Sequence, residues 1–381
     1  MSESKLFTPL TIRGVTFANR VLASPMWQYA GERGYPTDWH LMHLGRMASG
    51  GTGLVMQEGT VVEKRGRGTA GDLGIWNDSY VQPLTRLVEI IRSCGSVPAI
   101  QLMHPGRKAR QQRPWEGRGP LEQSPALWDW DEWELIGPSA IPVSEGFPAP
   151  REMTLQDIQM VIDGFAQAAR RSDEAGYDVI ELHGAHGYLL HQFLSDVSNR
   201  RGDAYGGSFE NRIRLALEVT EAVRSVWPEH KPLFMRLSCI DEGTWTMEDT
   251  IRLTRELMAR GIDLIDCSTG GLGGSAVQGA RAAYGYQVPY AARLREETGV
   301  LTAAVGVIVH ADQAESIIAN GEADMVAIGR ELLYNPNWTA DAAQKLGVQP
   351  DFDMMPERMG FWLGKRAKGI KGFKPSTFEP A

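Results

Sequence analysis

Eight short apolar runs alternate with helix-patterned segments from one end of the chain to the other, and this predicts an α/β fold, a single (β/α)8 TIM barrel. Three observations carry the prediction. Several of the runs are almost continuously apolar, as strands of a parallel sheet buried on both faces must be. No break in composition divides the 381 residues into two domains. The last four runs recur at roughly 25 to 35 residues, the length of successive βα units.

In chain order, residues 1–20 read as a short arm or hairpin (LTIRGVTFANR) able to close the barrel bottom. The expected strands are Val21–Ala23, Leu54–Glu58, Val97–Leu102, Asp178–Leu182, Leu233–Leu237, Leu264–Cys267, Leu301–Ala304 and Met325–Ile328. Helix periodicity is clearest over Ile158–Glu174 and Ile213–Val226. A long insertion, 103–153, follows the third strand and is rich in Pro, Gly and Trp, including Trp115, Trp128, Trp130 and Trp133; it reads as a cap. The barrel is expected to occupy 1–344, leaving 345–381 as a tail with the basic run Gly364–Lys374.

Composition removes several function classes. The 39 Lys and Arg against 47 Asp and Glu give a net charge of -8, the opposite of a nucleic-acid binder's balance. No apolar run reaches the ~18 residues that cross a bilayer. The start, MSESKLFTPL, lacks a signal-peptide pattern, so a cytoplasmic protein is expected. Three scattered cysteines, Cys94, Cys239 and Cys267, form no CxxC pair and read as reduced thiols, with no structural zinc or iron–sulfur site.

The chemistry of a barrel sits at the C-terminal ends of its strands. Strand eight ends in Ala327-Ile328-Gly329-Arg330 and strand seven leads into Val305-Gly306-Val307. Glycines there let backbone N–H groups approach a phosphate, and Arg330 adds a charge-assisted contact. Gln101 ends strand three. Arg236 lies inside strand five, where its charge needs either a carboxylate or an electron-rich heterocycle as partner. After strand four, His183, His186 and Tyr188 crowd a glycine-rich turn: two imidazoles able to donate to a carbonyl or nitro oxygen, and a phenol able to deliver a proton. A metal is the weaker reading of the two histidines, because no third ligand accompanies them.

These stretches together resemble the old yellow enzyme family of FMN-dependent ene-reductases, most closely its branch of short bacterial xenobiotic-reductase-like members. The resemblance spans roughly residues 5–340 and includes Ala18–Val21, Ser24-Pro25-Met26, Gln101–Ala109, Glu181–Tyr188, Asp203–Arg212 and Gly329-Arg330. It implies that Pro25, Met26, Gly59, Gln101 and Arg236 surround the isoalloxazine ring, and that Gly306, Gly329 and Arg330 bind the FMN phosphate. It further implies that His183 and His186 hold the substrate's electron-withdrawing oxygen and that Tyr188 gives the proton. Tyr29 and Lys108 would line the substrate pocket. NADPH or NADH would reduce the flavin, with no Rossmann fingerprint needed, and a small activated alkene would be the second substrate. The Asp203–Arg212 run also has a local reading as scaffold: Gly206-Gly207 as a turn and Ser208 as a helix cap.

Two departures stand out. Trp27 replaces a cysteine that the branch carries beside the flavin, so Trp27 either narrows the substrate pocket or turns away into the cap. The tail does not align with family endings that reach a neighbouring subunit; Trp362, Arg366 and Lys368 could do so, or the tail is a solvated basic segment, and a homo-oligomer stays open. Two alternatives accompany ene-reduction: a flavoenzyme of this family that desaturates, isomerises or demethylates, and a flavin-free barrel lyase or isomerase acting on a phosphorylated metabolite.

Overall fold

The computed structural model describes residues 4–124, 127, 129–241, 243–273, 283–348, 350 and 352–370; Trp128 of the insertion and the tail beyond Ile370 lie outside them. Eight parallel strands form the barrel: β1 Val21–Ala23, β2 Leu54–Val61, β3 Val97–Met103, β4 Val179–Gly184, β5 Leu233–Ser238, β6 Leu264–Ser268, β7 Leu301–Ala304 and β8 Met325–Ile328. Each pairs with its successor, and β8 closes the ring on β1 from Val326↔Val21 to Ile328↔Ala23.

Two strands run two or more residues further than the sequence suggests. β2 continues past Glu58 because a bulge between Gln57 and Thr60 lets it resume pairing with Leu102 and Met103. Gly59 is inside that bulge. β4 continues through His183 and Gly184, so the first imidazole is carried by the sheet itself.

Around the barrel lie α1 Asp38–Ser49, α2 Val81–Ser93, α3 Leu155–Ala175, α4 Leu189–Leu194, α5 Phe209–Arg224, α6 Met247–Met258, α7 Val288–Thr298 and α8 Ala311–Ala319. α3 begins three residues before its apolar periodicity. Thr154 Oγ1 accepts from the Asp157 N–H at 3.1 Å while the Asp157 carboxylate accepts from the Thr154 N–H at 2.8 Å. α5 likewise begins at its cap, Ser208, whose Oγ accepts from the Asn211 N–H. In the preceding turn only Gly207 has positive φ, +81°; Gly206 is required instead by close approach, since a Cβ there would lie 2.4 Å from the Arg201 carbonyl oxygen.

Alternation along each strand divides the core in two. Val21, Val55 and Ile180 face outward into the layer beneath the helices. Leu22, Leu54, Met56, Ala99, Val179, Phe234, Leu264, Ala303 and Met325 face inward and fill the lower barrel. The hairpin Leu10–Ile12/Val15–Phe17 seals that end, with Phe17 fully buried and its ring 6.5 Å from Phe234. Beyond β8 the chain adds α9 Arg330–Tyr334, α10 Trp338–Lys345 and α11 Glu357–Gly369.

The insertion after β3 carries only short regular pieces, such as the pairing of Ile136-Gly137 with Arg151-Glu152, and single long-range contacts help hold it. The Arg67 guanidinium lies 4.0 Å over the buried Trp133 ring and pairs with Asp129 at 2.6 Å, and the Trp133 indole donates to the Arg67 carbonyl.

Candidate active site

Moving up the barrel, the next inward position on each of four strands is polar: Gln101, Glu181, Arg236 and Asp266, two residues above Ala99, Val179, Phe234 and Leu264. Gln101 Nε2 donates to Glu181 Oε1 at 2.7 Å, and Arg236 Nε lies 3.4 Å from Asp266 Oδ2. Burial pushes both carboxyls above the usual carboxylate range, and in Glu181 the Asp266 charge adds to it. Arg236 is thus paired with a carboxylate and also lines the cavity above.

The third layer holds the imidazoles. His183 is the penultimate residue of β4; its Nδ1 accepts from the Ala185 N–H at 3.3 Å, which leaves the proton on Nε2. His186 follows in the left-handed region, φ +58°, so the chain doubles back and the second ring returns to within 5.1 Å of the first, edge to face. Its Nε2 is 2.7 Å from Ser268 Oγ, and its own N–H donates to Ser238 Oγ. Burial, reinforced by Arg236, holds both imidazoles well below their ordinary pKa. Both are neutral at pH 7. Tyr188 packs edge-on against His183, 4.9 Å between centroids, and burial pushes its hydroxyl well above the usual tyrosine value.

Trp27 faces this space. The β2 bulge turns the Gly59 carbonyl toward it, and the indole N–H donates there at 2.8 Å. One residue on, Glu58 Oε2 accepts from the Gln28 N–H, docking the whole 26–28 segment on the bulge. The Trp27 ring then contacts both Tyr29 and Tyr188, each at 5.4 Å. Its side chain faces the cavities rather than turning away into the cap.

Trp27, His183, His186, Tyr188 and Arg236 line one cavity of about 700 Å3 together with Pro25, Met26, Gly59, Gln101, Tyr29, Gly306, Gly329 and Arg330. Lys108 does not reach it. Its ammonium donates to the His186 carbonyl at 2.8 Å and to the Gly271 carbonyl, and it lines an adjoining cavity. Ser24, Met103, Ser268, Tyr286, Gln287 and Val307 also line the main cavity and were not singled out from the sequence. Ser268 had a signal, as the polar residue ending a barrel strand. Tyr286 and Gln287 stand at the start of α7 and had none.

The chemistry of the wall suits a phosphorylated heterocycle. At one end Gly306 (φ +112°) and Gly329 leave room for close approach, and Arg330 is exposed without a carboxylate partner among the described residues. Ser24, beside Gly329, has a buried Oγ without a hydrogen-bond partner, as expected of a group that meets a bound molecule, and Arg236 lines the cavity deeper in. Residues 5–349 match the NADH:flavin oxidoreductase / NADH oxidase family. The chain belongs to this flavoenzyme family.

An NADPH dehydrogenase of Geobacillus sp. is 43% identical over 361 residues, covering 93% of this chain and 98% of that one. Among solved structures, morphinone reductase superimposes with a TM-score of 0.77 at 27% identity, covering 91% of this chain and 90% of that one. A 2-naphthoyl-CoA reductase complex matches at TM-score 0.80 and 25% identity over 92% of this chain, which spans 53% of that larger one. The protein is thus an FMN-dependent oxidoreductase that takes electrons from a nicotinamide cofactor. Membership removes the flavin-free lyase or isomerase alternative. No helix among the described residues is long and apolar enough to cross a membrane.

Proposed function

We propose that this oxidoreductase reduces activated C=C bonds, those of enones and nitroalkenes, at the expense of NADPH or NADH. The observation that carries the reading is the convergence of neutral His183, neutral His186 and protonated Tyr188 on one wall of the 700 Å3 cavity. FMN, when bound, supplies hydride chemistry, accepting from the nicotinamide and giving to the β-carbon of the acceptor.

The protein's own part is orientation, polarisation and one proton. Pro25, Met26, Gly59, Gln101 and Arg236 would flank the ring, with Gly306, Gly329 and Arg330 at the phosphate. The His183 Nε2–H donates to the acceptor's carbonyl or nitro oxygen, and His186, braced by Ser268, completes the cradle. As neutral donors they polarise the oxygen without carrying a net charge into a buried site. Tyr188 then protonates the α-carbon. Its raised pKa keeps the hydroxyl protonated at working pH, while the carbanion-like α-carbon is far more basic still. We also place the enzyme in the cytoplasm, where its three unpaired cysteines remain reduced.

The test is anaerobic flavin absorbance near ~450 nm during addition of NADPH and then 2-cyclohexenone. Bleaching by NADPH followed by recovery with the enone is expected. Bleaching without recovery would overturn the acceptor class and leave the desaturating, isomerising or demethylating alternative.

A further inference from the structure

A second cavity of about 390 Å3 opens beyond Trp27. Four side chains line both spaces: Trp27, Tyr29, His186 and Tyr188. The outer walls come from the Gly68-Thr69 loop and the cap, with Gln111, Arg118, Ser144 and Phe147.

The charged groups of this outer cavity share one sign. Lys108 and Arg118 line it, and no described carboxylate does. Lys108 is fixed by the His186 and Gly271 carbonyls. Arg118 has no ion pair with any described acid. The turn carrying it is pinned by Gln112 Oε1, which accepts from the Gly119 N–H at 3.2 Å, and Arg118 itself sits at φ +59°. Asp72, behind the wall, is fully buried and already engaged: Oδ2 accepts from the Gly68 N–H and Oδ1 from Thr69 Oγ1. An unpaired guanidinium beside an aromatic wall, with amide and hydroxyl groups at hand, is a receptor for a carboxylate on a flat, unsaturated body.

We propose that the outer cavity is a subsite for an anionic substituent of the acceptor, with Arg118 as the counter-ion. The assignment rests on the reading that the acceptor's carbonyl lies between His183 and His186. A body held there extends past Tyr188 and Trp27 into the outer space. Preferred acceptors are then acid-bearing enals and enones rather than their neutral analogues.

The test compares 4-carboxycinnamaldehyde with its methyl ester as acceptors. It is paired with 4-formylbenzoate and methyl 4-formylbenzoate as ligands without a reducible C=C bond, titrated by flavin absorbance in the FMN-loaded enzyme. In the wild type the acids should bind about five- to tenfold more tightly than the esters at low salt, with the gap closing as salt rises. Arg118→Ala should abolish the gap by raising KM and Kd for the acids alone, leaving kcat and both esters unchanged; Arg118→Lys should restore part of it. Equal binding of acid and ester by the wild type overturns the subsite, as does equal weakening of both in Arg118→Ala. Slower flavin reduction by NADPH in Arg118→Ala, with the acid preference intact, assigns the cation to the reductant and also overturns it. Failure to reduce either enal sinks the ene-reductase reading instead, and the two aldehyde titrations still decide the subsite.

Discussion

Tyr188 is the residue on which the proposed chemistry can be divided. It touches His183 and Trp27, and hydride transfer from a nicotinamide to FMN needs no proton from a side chain. Tyr188→Phe should therefore leave anaerobic bleaching by NADPH unchanged and slow reoxidation by 2-cyclohexenone about 10²- to 10³-fold, read by stopped-flow absorbance. Equal loss in both half-reactions would show that the tyrosine shapes the pocket rather than supplying a proton. The His183, His186 and Tyr188 cluster was legible in the sequence because polar side chains at the end of an apolar strand have few structural uses. The depth of the pocket was not legible. Tyr286 and Gln287 reach it from the entry to α7, and where a helix entry sits is set by what it packs on, not by its own residue types. Lys108 was placed at the substrate pocket by the family resemblance; its ammonium is held by two main-chain carbonyls and it lines the adjoining cavity.

At the scale of elements, the β4–α4 connection is the most constrained segment. His186 and Gly187 both occupy the left-handed region, at +58° and +71°, and a Cβ on Gly187 would come within 2.4 Å of the Gly271 carbonyl oxygen and 2.8 Å of the Leu272 Cα. Those are main-chain atoms that cannot swing aside. Gly187→Ala should cost about 2–4 kcal/mol in denaturant unfolding and reduce turnover of the remaining folded enzyme, because the loop that must move carries the second imidazole. A variant as stable and active as the wild type would mean the 269–272 loop yields freely. The strands were legible because burial on both faces leaves a continuous apolar run. The β2 bulge was hidden because Gly59 carries the same letter as a turn, and only re-pairing with Leu102 and Met103 distinguishes them. The cap resisted for a different reason: its order comes from single long-range contacts such as Arg67 with Trp133 and Asp129, which leave no periodicity behind.

For the whole molecule, the barrel separates stability from chemistry along its axis. The hairpin residue Phe17 plugs one end and the imidazoles occupy the other, with the polar Gln101–Glu181 and Arg236–Asp266 layer between. Phe17→Ala should cost about 3–5 kcal/mol in unfolding free energy, while kcat per bound flavin stays within experimental error of the wild type. A matching fall in kcat would show the two ends to be mechanically linked.

The closure of β8 on β1 also has a consequence in time. Val21 must wait for Val326, 305 positions later, before its outer edge finds a partner. At ribosomal rates of about 5–20 residues per second, the nascent chain carries an open sheet edge for roughly 15–60 s. A three-residue first strand keeps that edge short, and a short edge gives a neighbouring nascent chain little to pair with during the wait.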